Sequence, residues 1–200
     1  MDPNLILNRV LRLARLDTSV FDEVRDDQNE LIPAVIVAVV SAFLAGLGAF
    51  IWWHVVPDLS QLPDNVFLNT FILGSILLAV LYGVAALVVY VVMAQVYKVQ
   101  ADVQAIIRTM GYAALPLALS VLMWLPIIWP VFALIPLALL YVMMIYAAQS
   151  ATGAESTQVV ISVTAGFAVM VLILGIIALS GDLSKAPIGA GDFAVLFDFN

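Results

Sequence analysis

Apolar stretches at 31–54, 66–97, 110–149 and 157–179 leave this chain of 200 residues little length for anything except helices that cross a membrane. A hydrocarbon core about 30 Å thick takes about twenty helical residues at about 1.5 Å each. Leu31 to His54 is one span, with Pro33 in its first turn and Trp52 and Trp53 at an interface. Pro57 and Pro63 bound the loop that follows. Val66 to Tyr97 amounts to about 48 Å of helix, so it is expected to tilt or to project at its far end. The stretch 110–149 suits two spans, with Pro126 and Pro130 bracketing a tight reversal at Ile127, Ile128 and Trp129. A polar linker from Gln149 to Ser156 precedes the fifth span, Thr157 to Leu179, which the turn-forming Ser180, Gly181 and Asp182 end.

Composition agrees: 64% hydrophobic against 10% charged residues cannot cover a soluble domain with polar surface. The expected fold class is an all-α integral membrane protein with five transmembrane helices and an N-terminal amphipathic segment. The absence of cysteine excludes disulfides, thiolate metal sites and iron–sulfur clusters. A net charge of −7 argues against nucleic acid as a partner. The first apolar stretch lacks a small-residue cleavage site, so it is expected to stay as an anchor.

With five spans, Arg9, Arg12, Arg15, Arg25, Lys98 and Arg108 fall on one side and Lys185 alone on the other. That asymmetry predicts a cytoplasmic N-terminus and an extracytoplasmic C-terminus. The organisation read is a cytoplasmic segment at 1–30, a five-span domain at 31–180 and a tail at 181–200. On a helical wheel Ile6, Leu7, Val10, Leu11, Leu13 and Ala14 share a broad face, with Asn4, Asn8, Arg9, Arg12 and Arg15 opposite, which reads as a helix lying on the leaflet. Ser19 and Asp22 have capping spacing before the apolar stripe Val20, Phe21 and Val24. The acids Asp22, Glu23, Asp26, Asp27 and Glu30 would be repelled by an anionic membrane, so this part is expected to lift off or dock on protein. Val99, Val103, Ile106, Ile107 and Met110 predict a further interfacial helix on the same side. In the tail, Phe193, Phe197 and Phe199 could fold back on the membrane or fit a partner, unless the segment is disordered.

Catalytic constellations are hard to find. No acid or base stands clearly inside a span, which argues against an ion-coupled transporter. His54 is the only histidine, and its place after two tryptophans reads as interfacial, with a pigment or haem ligand as the alternative. Asn69, Thr70, Ser75, Gln95, Ser162 and Thr164 can bond between helices. Gly46 and Gly48 with Ala42, Ala45 and Ala49, and Gly74 and Gly83 in the second span, offer small faces for packing or for self-association. Neither a phosphate loop nor a serine elbow appears, so no enzyme, cofactor or metal is expected. At the start of the third span stand Gly111, Tyr112 and Pro116: a close-approach glycine, a headgroup-level tyrosine and a helix-breaking proline. They read either as packing geometry or as a hinge beside a lipid-sized crevice.

Five spans, a charged N-terminal segment and the stretches "RLDTSVFDEVRDD", "IIRTMGYAALPLAL" and "YAAQSATGAES", in that order, together resemble the Yip family of Ypt/Rab-interacting membrane proteins, closest to its prokaryotic branch. The resemblance covers about residues 5 to 180. It implies a five-span domain, a prokaryotic cell membrane and a non-enzymatic scaffold that organises membrane partners. Arg9, Arg12, Arg15, Phe21 and Arg25 then form the expected contact surface. Membrane lipids and a membrane-protein partner or second copy are the expected partners. Where eukaryotic members carry an Asp-Leu-Tyr-Gly-Pro type stretch, this chain has Glu30, Leu31, Ile32 and Pro33, so a Rab GTPase partner does not carry over. An accessory subunit of a larger, energy-converting complex and a transporter of lipid or small solutes are the alternatives.

Overall fold

The structure is a computed structural model and describes residues 3–55, 65–125 and 127–180. Two short helices, α1 (Pro3–Ala14) and α2 (Val20–Asp26), precede the spans. α1 stops because Leu16 takes a φ of 64°, letting its N–H reach the Leu13 carbonyl and the Asp17 N–H reach that of Arg12. Asp27 accepts from the Asn29 N–H and starts a 3-10 turn, Gln28–Glu30, that leads straight into α3 (Leu31–Val55). The second span begins as a π-helix, Phe67–Leu73, continues as α4 (Gly74–Val91) and ends as a second π stretch, Val92–Val96. α5 (Val103–Ala113), capped by the Asp102 carboxylate, passes into a 3-10 helix at Leu115–Trp124. α6 (Trp129–Thr152) and α7 (Ser156–Ser180) complete the bundle.

Five helical stretches among the described residues are long and apolar enough to span, namely Gln28–Val55, Phe67–Val96, Val103–Trp124, Trp129–Thr152 and Ser156–Ile177. The chain is therefore an all-α, multi-pass integral membrane protein. Four of the five lie within a few residues of the expected ranges, and the third differs. The interfacial helix expected before it is its own first half, because α5 runs into the 3-10 segment without a break wide enough to turn. A ten-residue 3-10 run is long for its kind. Pro116 starts it: with no N–H to offer the Tyr112 carbonyl, the chain tightens, and Leu117 N–H bonds to Ala114 O instead. At about 2 Å per residue this segment covers about 20 Å, and α5 adds about 16 Å, enough together for the hydrocarbon thickness.

The third span is also the bundle's centre, being 67% buried over its most apolar window where the fifth is 28% buried. It lies against α3 closely enough to exclude side chains at two levels. A Cβ on Gly48 would strike the Ser120 and Val121 backbone, and one on Gly111 would stand 2.5 Å from the Ala34 carbonyl oxygen. Gly166 of α7 does the same against Ala85 of α4. At the end away from α1 and α2, Trp52 packs on Trp53 and Trp129, while Phe43, Phe50, Phe67 and Phe71 interlock beside them. The in-span hydroxyls mostly bond back along their own helices: Ser75 to Phe71 O, Ser162 to Gln158 O and Thr164 to Val160 O. Thr164 also meets the Tyr141 hydroxyl of α6 at 2.8 Å. The expectations for Pro57 and Pro63, for Pro126 and for the tail from Gly181 lie outside the described residues.

Candidate functional site at the charged end of the bundle

α2 docks by its apolar stripe. Val20, Phe21 and Val24 are fully buried, and the helix packs on α5 and α6, as the docking alternative for the acidic segment required. α1 packs by Leu13, Ile6 and Val10, but its arginines do not lie where the wheel placed them. Arg9 and Arg12 turn inward, while Leu7 and Leu11 point outward. Folding α2 back brings Asp17, Glu23, Asp27 and Glu30 within ion-pair distance of the two guanidinium groups, which therefore bond to protein.

Arg9 is the centre of this arrangement. Its Nη1 lies 2.6 Å from Glu30 Oε1, and both side chains are almost wholly buried. Glu23 and Asp27 flank it at 3.7 and 3.5 Å. Burial pulls the Arg9 guanidinium down, but the charge and hydrogen bonding of Glu30, with Tyr112 beside it, together outweigh burial and hold the group above its usual range. Glu30 Oε2 accepts in turn from the Tyr112 hydroxyl at 2.6 Å. Three elements thereby meet at one carboxylate: α1 through Arg9, the root of α3 through Glu30, and α5 through Tyr112. Tyr112 is fully buried, so its hydroxyl meets a carboxylate, a strong acceptor, inside the protein.

A second set of contacts fixes α2. Arg25 donates to Asp26 and Asp22 and to the Ser150 carbonyl at 3.0 Å, and Ser150 Oγ donates to Asp22 at 2.7 Å, tying α2 to the last turns of α6. Arg108, buried inside the third span, donates to the Arg25 carbonyl at 2.6 Å. Asp26 hydrogen-bonds Arg25 and is held below the usual carboxylate range. At the α1–α2 corner, Ser19 and then Arg12 hold Asp17 low in the same way, with Arg12 Nε at 2.8 Å. Farther in, the Tyr82 hydroxyl of α4 donates at 2.6 Å to the Met110 carbonyl in α5's last turn, a group that the change of helix type leaves without its usual partner.

The Yip1 domain profile matches residues 17–179, most of the chain and all five spans. The chain belongs to the Yip1 domain family. Among curated proteins and among solved structures, nothing matches it. In this Yip1 domain the residues marked by the sequence sort plainly. Gly111 is the close contact with Ala34, Tyr112 the partner of Glu30, and Pro116 the switch into the 3-10 helix. Arg9 and Phe21 face the protein, Arg12 and Arg25 are half-buried, and Arg15 alone of the five stands open. Sequence reading missed Tyr82, Arg108 and Ser150 as members of the network. Glu30 had one signal, its place directly before the first span, where burial follows unless the helix ends early. His54 sits exposed at the far end with Nδ1 2.8 Å from Phe50 O.

Proposed function

We propose that this Yip1 domain is a non-enzymatic membrane scaffold whose charged end faces the cytoplasm and presents a fixed surface to membrane partners. The observation that carries this reading is the buried Arg9–Glu30–Tyr112 junction, which holds the N-terminal segment in one place on the bundle. A docking surface gains from such order, since the entropy of fixing it is already spent before a partner arrives. The outward face is mainly acidic. Asp22, Glu23 and Asp26 are 60, 41 and 70% exposed at their side chains, with Arg15 open beside them. It suits a partner with a basic juxtamembrane segment better than an anionic leaflet.

The test is recovery of partners from native membranes in mild detergent, quantified by mass spectrometry. Wild type is compared with a chain lacking residues 1–28 and with the surface variant Asp26→Lys, at a side chain 70% exposed and outside the Arg9–Glu30–Tyr112 junction. The scaffold reading expects co-purifying membrane proteins that both changes deplete. Unchanged recovery with both would overturn it, and fixed-stoichiometry subunits retained without residues 1–28 would point to an accessory subunit bound through the spans.

A further inference from the structure

An apolar groove of about 440 Å³ opens on the side of the bundle between α3, α4 and α5. Val35 and Val39 form one wall, Gly83 and Leu87 another, and Ile106 and Ile107 the floor toward the charged end. Among the described residues no charged side chain lines it. The hydroxyl of Tyr82, one of its two polar side chains, is engaged by Met110 O. A polar solute would find nothing there to replace its water. The volume falls in the ordinary range for a small-molecule site.

Three observations identify the occupant. First, Val35, Val39, Val80 and Leu87 at the rim are 38–56% exposed on helices that cross the membrane, so the groove opens sideways into hydrocarbon. Second, a partner helix with side chains is about 10–12 Å across and could lay only single side chains into the groove. A slim flexible chain can lie in it. Third, Gly83 has no packing reason to be glycine. Its Cβ would meet nothing within 4 Å, as at Gly175, but Gly83 lines the groove and Gly175 does not. Glycine inside a helix costs about 1 kcal/mol against alanine. What the missing side chain does at position 83 is leave the groove open.

From these we infer that the groove is a binding site for one acyl chain of a phospholipid from the leaflet at the charged end, entering beside Val103 and lying along Gly83. This goes beyond the scaffold reading and does not depend on it.

The experiment reconstitutes the full chain into vesicles of palmitoyl-oleoyl phosphatidylcholine containing a trace of phosphatidylcholine with a diazirine in one acyl chain. Photolabelled residues are then mapped by mass spectrometry. Every lipid-facing position will take some label, so the measure is the excess at 79–90 and 103–111 over Leu172 and Ile176, which are 63 and 64% exposed on α7. A several-fold excess is expected, lost in Gly83→Leu and kept in Gly175→Leu, where an added Cβ also meets nothing. Should Gly83→Leu fail to fold, Gly83→Val serves, with a partial loss expected. Labelling no higher than on α7, an excess that survives filling of position 83, or crosslinks from these residues to a second copy of the chain would each overturn the assignment.

Discussion

Replacing Arg9 by methionine tests what holds the N-terminal segment. Arg9 and Glu30 face each other at 2.6 Å with side chains 7 and 6% exposed. Removing one member of a buried pair costs about 3–5 kcal/mol, since it leaves a desolvated charge behind. The chain can escape that penalty by releasing α1 and letting water reach Glu30. Arg12→Met is the control: Arg12 meets Asp17 and Glu23 at 2.8 and 2.6 Å, but those carboxylates are 40 and 41% exposed, and solvent screens such pairs until they contribute little. The assay is amide hydrogen exchange across Pro3–Ala14 in lipid nanodiscs. At about 1.4 kcal/mol per tenfold, Arg9→Met should lower protection by about two to three and a half powers of ten, or to the free-chain rate if that is reached first. Arg12→Met should change it by less than about one. The combination Arg9→Met, Glu30→Leu, Tyr112→Phe should recover most of the loss, because no buried polar group remains unpaired. Equal effects of the two single changes, or a triple variant worse than Arg9→Met, would refute the argument.

Gly111→Ala places a methyl 2.5 Å from the Ala34 carbonyl oxygen, and overpacking of about 1–3 kcal/mol exceeds the helix gain of about 1. Gly83→Ala meets nothing and keeps only that gain. Thermal unfolding in detergent should therefore shift down for the first and up for the second. Gly153 ends α6 with φ +59° and open space around its would-be Cβ, so Gly153→Ala should cost about 1–2 kcal/mol of backbone strain alone, read as a lower unfolding midpoint. Asp17 and Asp26 both have folded-state pKa values below the ordinary carboxylate value, so their contribution is present above that value and is lost as pH falls through the depressed ones. Exchange across Val20–Asp26, corrected for intrinsic rates, should stay flat from neutral pH to about 4 and rise below it, and Asp17→Asn should abolish part of that rise.

The spans were legible because their signal is one-dimensional. Hydrophobic runs, Pro33 and Pro130 act locally, and a membrane helix must satisfy its own backbone. The third span's start was not legible, because Gln104, Arg108 and Thr109 make α5 look half-wet. Only the fold shows Arg108 buried against a backbone carbonyl of α2 and Thr109 bonded back to Ala105. The same limit explains α1. A wheel sorts polar from apolar positions but cannot say what faces them, and the acids that claim Arg9 and Arg12 become neighbours only when the corner at Leu16 reverses the chain. Leu16 itself carries no turn signature. Glycine or asparagine would have announced the left-handed residue.

The stretch from Gly111 to Pro116 joins these threads, because each of its marked residues constrains a different neighbour. Gly111 brings the third span onto α3 at Ala34, Tyr112 ties it to the carboxylate at α3's root, and Pro116 converts the rest of the span to a thinner helix. Along that thinner helix, four residues on from Pro116, the Ser120 backbone lies against Gly48. A mid-span change of helix type often marks a joint. Here the segments on both sides of Pro116 touch α3 backbone to backbone, so bending at the proline would open two close contacts and pull Glu30 away from Arg9 at once. That coupling favours a brace over a swinging joint. It also means that any force reaching the third span is felt at the N-terminal surface through Tyr112, which links Pro116's helix to the acid holding α1, and through Arg108, which holds α2.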